Sequence, residues 1–321
     1  MRSLLILSSL VAALTISPTQ ARDFQSSSVH SLDYPVERAV AYMGTLINER
    51  SGGKLGIKPL PNSNIGSEDF LIGRIRNGTL DMGRFSIEAL NDAVEETIAP
   101  ALPYIFKSRA NLRQVLDGPI GDEILAAIEK TGLIGLCFYD VGSRSFYAKK
   151  PIRNVDDIRG MRVRMQSSTI WVAMMKAIGA TAVLMPYNEV HGALSTGLID
   201  AAENTWTSYI SSGDYEVSKF YSLTEHSMAP EVLVFSKKVW DGLSKEDQRI
   251  IRVAAKESVS HMRARWDERE ASEREVIMKA GPQFITDVDK KSFSDAMLPV
   301  RLILLSDHKV RHMVNRIEAT E

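Results

Sequence analysis

The sequence Asp157-Ile-Arg-Gly-Met-Arg-Val-Arg-Met165 opens the stretch around which this chain is organised, and that stretch runs to Trp206. Beginning at Met161, apolar residues occupy every second position and alternate with Arg162 and Arg164. This period of two predicts a β-strand, because successive side chains of a strand point to opposite faces. We therefore expect a strand with one apolar face and one face that presents guanidinium groups.

The remainder of the stretch alternates between predicted helices and strands. Apolar residues at helical spacing predict a helix over 171–179, and a strand follows over 182–185. A second helix around 187–194 and a short strand within 198–206 complete the pattern. Strands and helices also alternate before this stretch, and together they predict the α/β fold class.

Five side chains that can recognise a ligand fall at the ends of these predicted strands: Arg164, Gln166, Glu203, Asn204 and Trp206. In open α/β sheets, ligands bind beyond the carboxyl ends of the strands, and a guanidinium group matches the planar geometry of a carboxylate. The pattern therefore favours an anion site. The alternative is an edge strand whose arginines are simply solvated, since edge strands are often charged.

The first 21 residues are typical of a secretory signal peptide. Met1-Arg2 supplies a positive start, a short apolar run covers 4–16, and small residues lead up to Ala21. The apolar run is too short for a membrane span. We therefore expect export to the periplasm, with 300 of the 321 residues left in the mature chain, enough for two lobes with sizeable cores.

Composition and motifs exclude several classes of function. With 39 Lys and Arg against 40 Asp and Glu, the chain lacks the basic excess of a nucleic-acid binder. The one cysteine, Cys137, cannot form an intramolecular disulfide. There is no nucleophile elbow, phosphate loop or His-Glu-x-x-His motif, and the pair His308 and His312 lacks a third ligand nearby. We therefore expect neither a cofactor nor a metal, and no motif demands an enzyme.

The chain is predicted to cross between two α/β lobes. The first lobe is expected to contain 22–145 and about 231–265, and the second 146–230 and about 266–321. Ser244 is placed to cap a helix that could run to Ala280 without Pro or Gly. At about 1.5 Å per residue that helix would be roughly 55 Å long, longer than one lobe is wide. It would therefore brace both lobes.

Four segments, in this order and spacing, carry a resemblance to a known family: Leu60-Pro-Asn-Ser-Asn-Ile-Gly-Ser-Glu68, Asn77-Gly-Thr-Leu-Asp-Met82, Asp157-Ile-Arg-Gly-Met-Arg-Val-Arg164 and Gly197-Leu-Ile-Asp-Ala-Ala-Glu-Asn204. The chain resembles the extracytoplasmic solute receptors of tripartite ATP-independent periplasmic (TRAP) transporters. The resemblance implies a two-lobed periplasmic binding protein with a hinge, no catalysis, and membrane permease subunits as partners. It also implies that Arg164 grips the substrate carboxylate, and that Arg144 and Asn204 match further binding positions.

Within that family the chain is most similar to receptors for hexuronates such as galacturonate and glucuronate. The similarity rests on Asp117-Gly-Pro-Ile-Gly-Asp-Glu123, Phe138-Tyr-Asp-Val-Gly-Ser-Arg144, Thr224-Glu-His-Ser-Met-Ala-Pro-Glu-Val-Leu-Val234 and His30-Ser-Leu-Asp-Tyr-Pro35. Ser31 and Gln166 depart from the residues common in the family, where Pro is frequent at both positions.

A hexuronate has one carboxylate and several hydroxyls, and the chain offers partners for both. Arg164 is expected to bind the carboxylate with Arg144 nearby, while the hydroxyls are expected to contact His30, Asp33, Glu203 and Asn204. Trp206 or Trp171 could cover the apolar face of the sugar. Arg84 could contact the ligand or support the site.

Three alternatives stay open. In a C4-dicarboxylate receptor of the same family, Arg84 or Arg144 would take the second carboxylate. An exported enzyme acting on uronates, such as a lyase, is the alternative from another class. A receptor feeding a membrane signalling protein would have the same sequence features. In each case we expect a monomer and no nucleic-acid partner.

Overall fold

Two mixed β-sheets and the helices that cover them make up the computed structural model, which describes residues 21–60, 66–228 and 230–320. The strands are β1 (Arg22–Ser27), β2 (Leu55–Pro59), β3 (Met82–Ser86), β4 (Leu133–Tyr139), β5 (Arg144–Ala148), β6 (Arg162–Met165), β7 (Thr181–Leu184), β8 (Ala201–Thr205), β9 (Phe220–Ser227), β10 (Glu231–Ser236) and β11 (Gln283–Ile285). The α/β class is confirmed. The predicted signal peptide before Ala21 and positions 61–65 of the quoted 60–68 segment lie outside the described residues.

The helices flank these sheets and connect their strands. They are α1 (Pro35–Arg50), α2 (Glu68–Asn77), α3 (Ile98–Ala101), α4 (Arg109–Asp117), α5 (Pro119–Ile128), α6 (Val155–Ile158), α7 (Thr169–Ala177), α8 (Val190–Thr196), α9 (Trp206–Ser211), α10 (Asp214–Val217), α11 (Lys237–Trp240), α12 (Lys245–Ala280), α13 (Lys290–Leu304) and α14 (His308–Ala319). None of the helices in the described ranges combines the length and the apolar character that a membrane crossing requires.

Within the described residues the chain crosses between the sheets three times. The first sheet has the strand order β2-β1-β3-β10-β4, and the second has the order β11-β9-β5-β8-β6-β7. The chain leaves the first sheet after β4, enters the second at β5, returns from β9 to β10, and reaches the second sheet again at β11 after helix α12. Within each sheet a parallel part carries the βα units, namely β1 to β3 in one and β6 to β8 in the other.

The two arginines of the central stretch lie on the same face of β6 but in different surroundings. Strand β6 lies between β7 and β8, so it is not an edge strand. Arg162 faces solvent and pairs with Asp200 at 2.9 Å. Arg164 is only 4% exposed. Of the solvated-edge interpretation, solvation thus fits Arg162 at the start of the strand but not Arg164, which is buried near the carboxyl end.

Helix α12 has 36 residues and contacts elements on both sides of the crossing. Ser244 caps it, accepting a hydrogen bond from the Asp247 amide at 3.1 Å. The helix packs against α1 and β4 beside the first sheet and against α9 beside the second. The predicted brace is thus present, and it begins and ends where the capping residues indicate.

The C-terminal helix differs from the expected lobe division. Helix α13 packs against α7 and β9, as expected for a second-lobe element, but α14 packs against α3 and α5. Arg316 of α14 pairs with Glu123 at 2.5 Å, and Lys309 pairs with Glu95 at 3.0 Å. The apolar face of α14 is buried among first-lobe helices, which its helical periodicity alone could not indicate. We therefore propose that 308–319 belongs with the first lobe rather than the second.

Trp266 ties α12 to the start of α1. Its side chain is 1% exposed, and its ring meets that of Tyr34 edge-on with centroids 5.7 Å apart. We expect Trp266→Ala to lower the free energy of unfolding by about 3–5 kcal/mol, because it removes a large buried ring. Urea denaturation measures the change. Arg265→Ala on the same helix is the control, since that side chain is 52% exposed and should change stability by less than about 0.5 kcal/mol. Equal effects of the two substitutions would contradict the packing described.

Candidate ligand-binding site

A cavity of 240 Å³ lies between the two sheets. This volume equals about eight water molecules at roughly 30 Å³ each, the size of a small metabolite. Both sheets and their flanking helices contribute to the wall, whose polar members include His30, Glu68, Arg84, Arg144, Arg164, Gln166, Tyr187, Asn204 and Glu231.

The position of this cavity follows from the sheet topology. Arg164 on β6 and Asn204 on β8 lie towards the carboxyl ends of their strands, and Arg84 lies at the centre of β3. In α/β sheets these ends face the crevice where ligands bind. Glu68 reaches the cavity wall from a helix rather than from a strand, since it is the first residue of α2. Ser67 caps this helix and accepts a hydrogen bond from the Phe70 amide at 3.3 Å.

Arg144 is held by a bidentate ion pair. Its Nε and Nη2 donate to Glu203 at 2.6 and 2.7 Å, and its Nη1 donates to Asn204 Oδ1 at 3.1 Å. Burial opposes ionisation of Glu203, but Arg144 and the nearby His226 outweigh it and hold the pKa of Glu203 well below its ordinary value. The guanidinium of Arg144 is therefore already compensated by a carboxylate of the protein.

Gln166 joins Arg144 to the opposite wall. With its amide oxygen facing Arg144, Gln166 accepts from Nη1 and Nη2 at 3.2 and 3.0 Å. In the same orientation its amide nitrogen donates to Ser86 Oγ at 3.2 Å. This orientation satisfies both ends of the amide, and it forms a bridge between the two sheets across the cavity.

Arg84 is compensated on the other wall. Its Nη1 donates to Glu231, and its Nε lies 3.7 Å from Glu37 Oε1. Burial opposes the charge, but Glu231 and Glu37 outweigh burial and raise the pKa of Arg84. Within the described ranges, the Nη2 of Arg84 is buried without a hydrogen-bond partner.

Arg164 has no such carboxylate. Its Nε donates to the carbonyl oxygen of Met185 at 3.0 Å, and the described part of the chain provides no ion pair for its guanidinium. Burial lowers the pKa of Arg164, with Glu203 opposing the shift and Arg144 adding to it, whereas the pKa values of Arg84 and Arg144 are raised. Arg164 is thus a buried cation, on the wall of the cavity, without a bonded anion among the described residues.

His30 and Tyr187 form an aromatic corner. The ring of His30 stacks on Tyr34 with centroids 3.9 Å apart, and it lies 4.8 Å from the ring of Tyr187. Burial, together with Arg84 and Arg144, lowers the pKa of His30 well below its ordinary value. The ring is therefore neutral, so it can both donate and accept a hydrogen bond.

Further contacts join the two halves beside the cavity. Tyr34 Oη lies 2.9 Å from Ser208 Oγ, which connects the start of α1 to α9. Thr169 at the start of α7 donates to Asp92 at 2.5 Å. Both contacts cross from the first half of the chain to the second, so the relative placement of the two sheets is specified by polar groups near the cavity.

The structure brings together most, but not all, of the predicted site residues. Six of the nine line the cavity: His30, Arg84, Arg144, Arg164, Gln166 and Asn204. Glu203 lies behind them and holds Arg144. Two positions that sequence analysis did not select, Glu68 and Glu231, also line it. Two features of the sequence could have indicated these positions. Ser67 is placed to cap the helix that begins at Glu68, and Glu231 begins the strand predicted to return to the first lobe.

Asp33 and Trp206 lie away from this cavity. The Asp33 side chain is 67% exposed and pairs with Arg38 at 2.7 Å and Arg269 at 3.1 Å, because the turn before α1 directs it towards α12. The Trp206 ring packs 4.1 Å from that of Phe284, where it lines a different cavity of 810 Å³. Neither residue is placed to contact a ligand bound beside Arg164. The other predicted aromatic, Trp171, is 1% exposed and belongs to the core.

The described residues contain no group of three or more His, Cys, Asp or Glu side chains that could hold a metal ion. The rings of His308 and His312 stack on α14 with centroids 6.4 Å apart.

Glu88 should make folding stability depend on pH. It is 2% exposed, and burial raises its pKa from 4.5 to about 8, with Arg144 opposing and Glu203 adding to the rise. As the pH rises through this window, the unfolded chain releases this proton before the folded chain does, so stability falls. We expect Glu88→Gln to flatten that slope, as measured by urea denaturation between pH 4.5 and about 8. Glu246→Gln is the control, since its side chain is 60% exposed and should leave the slope unchanged. A slope unaltered by Glu88→Gln would show that Glu88 is ionised throughout.

Comparison with known proteins identifies the relatives of this chain. The model of the family described as bacterial extracellular solute-binding protein, family 7 (DctP), matches residues 26–303. A TRAP periplasmic solute binding protein from Bradyrhizobium sp. BTAi1, solved in complex with α/β-D-galacturonate, is 51% identical, with 93% of this chain and 100% of that chain covered and a TM-score of 0.91.

Two further solved structures are also TRAP periplasmic solute binding proteins with a bound uronate. A TRAP periplasmic solute binding protein from Xanthobacter autotrophicus Py2, with bound β-D-galacturonate, is 47% identical, covering 93% of this chain and 100% of that chain with a TM-score of 0.90. One from Pseudomonas putida F1, with bound D-glucuronate, is 33% identical, covering 94% and 98% of the two chains with a TM-score of 0.90. The resemblance seen in the sequence is thereby confirmed, and the chain belongs to the DctP family of bacterial extracellular solute-binding proteins, the solute receptors of TRAP transporters.

Proposed function

We propose that this protein is the periplasmic receptor of a TRAP transporter that binds a hexuronate, galacturonate or glucuronate, by its carboxylate and delivers it to the membrane permease subunits. The observation that carries the proposal is the buried guanidinium of Arg164 on the cavity wall, without a carboxylate partner among the described residues. The signal peptide predicted at residues 1–21 supports export.

Arg164 suits an anionic ligand because burying an unpaired charge is costly. A buried guanidinium loses its hydration, and the neighbouring Arg144 adds like-charge repulsion. A ligand carboxylate would restore the lost interactions, since its two oxygens can accept parallel hydrogen bonds from one guanidinium group. The Nε of Arg164 is already held by the Met185 carbonyl at 3.0 Å, which leaves the two terminal nitrogens for the ligand.

The rest of the wall suits hydroxyl groups better than a second carboxylate. Glu68 and Glu231 can accept from hydroxyls, and neutral His30 can donate or accept. A second carboxylate near Glu231 would meet like charge, which disfavours a bound dicarboxylate. The arginines that a C4-dicarboxylate receptor would need, Arg84 and Arg144, are each already bonded to a glutamate. The wall therefore favours a monocarboxylate rich in hydroxyls over a C4-dicarboxylate.

Size and relatives support the same ligand class. A cavity of 240 Å³ matches a single monosaccharide better than an oligosaccharide. Relatives at 51%, 47% and 33% identity were solved with galacturonate or glucuronate bound. We extend that ligand class to this chain, and a receptor role rather than catalysis accords with its family.

Substitution of Arg164 tests the carboxylate contact. We expect Arg164→Ala to weaken galacturonate binding by about 2–5 kcal/mol, because it leaves the buried ligand carboxylate unpaired. Arg164→Lys should also bind weakly, since an ammonium group cannot reproduce two parallel hydrogen bonds. Arg162→Ala is the matched control, as Arg162 lies two residues away on the same strand but is exposed and paired with Asp200. Titration calorimetry gives the affinities, and near-normal affinity of either Arg164 variant would move the carboxylate site elsewhere.

A ligand panel tests the substrate class. Mature protein, unfolded and refolded to remove carried-over ligand, should bind galacturonate or glucuronate tightly in calorimetry. Galactose should bind far more weakly because it lacks the carboxylate. Succinate should also fail, since each polar group it leaves unpaired costs about 1–3 kcal/mol. If succinate or malate binds tightly and neither uronate gives a heat of binding, the hexuronate assignment is wrong. The assignment to the receptor class would still stand. Release of a chemically altered uronate would instead indicate an enzyme.

A further inference from the structure

An irregularity in the second sheet lies directly beside Arg144. Arg144 opposes Ser227 of β9, whereas Phe146, two residues later, opposes Ser222, so β9 carries extra residues at this point. Within the bulge Glu225 has a φ of 42°, a positive value that is uncommon for a residue other than glycine. Such bulges often lie next to binding sites, where they re-aim a side chain. Here the residue that follows Glu225 is His226.

The surroundings of the strained residue hold the bulge in place. The Glu225 amide donates to Ser145 Oγ at 3.1 Å. Tyr104, another residue with positive φ, donates from its amide to the His226 carbonyl oxygen at 3.1 Å and from its hydroxyl to the Thr224 carbonyl oxygen at 3.2 Å. A strained backbone conformation persists only where contacts with the surrounding structure hold it in place. These contacts therefore fix His226 in one orientation.

The His226 ring is fully buried between aromatic side chains and one carboxylate. It stacks on Phe146 with centroids 4.3 Å apart and meets Trp171 edge-on at 5.5 Å. Its Nδ1 lies 2.9 Å from Thr224 Oγ1. Its Nε2 lies 3.5 Å from Glu203 Oε2, which is longer than a well-formed hydrogen bond, and among the described residues it has no hydrogen-bond partner. The carboxylate that holds Arg144 is thus within reach of the unpaired ring nitrogen after a small rotation of either side chain.

The hydrogen bonds of Thr224 indicate which ring nitrogen carries the proton. The Phe146 amide donates to Thr224 Oγ1 at 3.2 Å, so that oxygen already serves as an acceptor. Its own hydrogen is then available to donate to His226 Nδ1. Burial lowers the pKa of His226 and so favours the neutral ring, and when Thr224 donates to Nδ1 the one ring proton lies on Nε2.

We propose that His226 is a positioning residue: its Nε2–H fixes the Glu203 carboxylate, which in turn orients Arg144 towards the ligand. Glu203 accepts from both Nε and Nη2 of Arg144, so a rotation of that carboxylate would turn the whole guanidinium group. Asn204 and Gln166, which also bond Arg144, would lose their partner in the same movement. This inference rests on the proposed function, because it concerns how that site binds its ligand.

A pair of substitutions separates positioning from packing. His226→Phe keeps the ring between Phe146 and Trp171 but removes the donor, and we expect galacturonate to bind about tenfold more weakly. His226→Gln keeps an N–H donor and should restore most of the affinity, although it lacks the ring. In the Glu203→Gln background, His226→Phe should cause little further loss, since both residues act through one contact. Equal losses for Phe and Gln, or losses that add in the double variant, would overturn the proposal.

A measurement without ligand keeps the two proposals distinguishable. The ¹⁵N signals of the His226 ring in the ligand-free protein should show a neutral ring protonated at Nε2. The Arg144 Nε–H signal should shift in His226→Phe, because the carboxylate that accepts from it has moved. A ring protonated at Nδ1, or an unchanged Arg144 signal, would overturn the positioning role. If the wild-type protein binds no uronate, the proposed function fails, while these signals still decide the His226 contact.

Discussion

Three arginines buried in one place are the constraint on which the rest of this structure depends. A charge removed from water must be paired or it destabilises the fold, so each guanidinium needs a partner. Glu231 forms an ion pair with Arg84, and Glu203 forms one with Arg144. Arg164 has a backbone carbonyl as its hydrogen-bond acceptor. The uneven pairing turns a set of structural ion pairs into a site with one charge left for a ligand.

The two-lobed architecture keeps that charge at a junction rather than inside either lobe. Arg84 and Glu231 belong to the first sheet, whereas Arg144 and Arg164 belong to the second. A ligand that contacts both walls would favour the arrangement in which they approach, because it gains those contacts only there. The crossing strands and the helix Lys245–Ala280 are the elements that connect the halves. Binding and the relative placement of the lobes are therefore linked through the same residues.

Sequence reasoning succeeded where local pattern and topology coincide. The alternation around Arg164 predicted its strand, and the rule that ligands bind at strand ends correctly indicated that Arg164, Gln166 and Asn204 would lie close together. It failed where a side chain's direction depends on distant packing. Asp33 is close to His30 in sequence but faces Arg269, and Trp206 follows Asn204 closely but packs on Phe284. The partners of Arg84 and the packing of α14 against α3 and α5 likewise depend on long-range contacts, which local sequence periodicity does not reveal.

The measurement that tests the central claim most directly is a crystal structure of the mature protein with galacturonate. The account predicts that both oxygens of the ligand carboxylate accept hydrogen bonds of about 2.7–2.9 Å from the terminal nitrogens of Arg164. Arg84 and Arg144 should keep Glu231 and Glu203 as their partners. A carboxylate bound by Arg84 or Arg144, with one of those glutamates displaced, would contradict the assignment of Arg164 as the anion anchor.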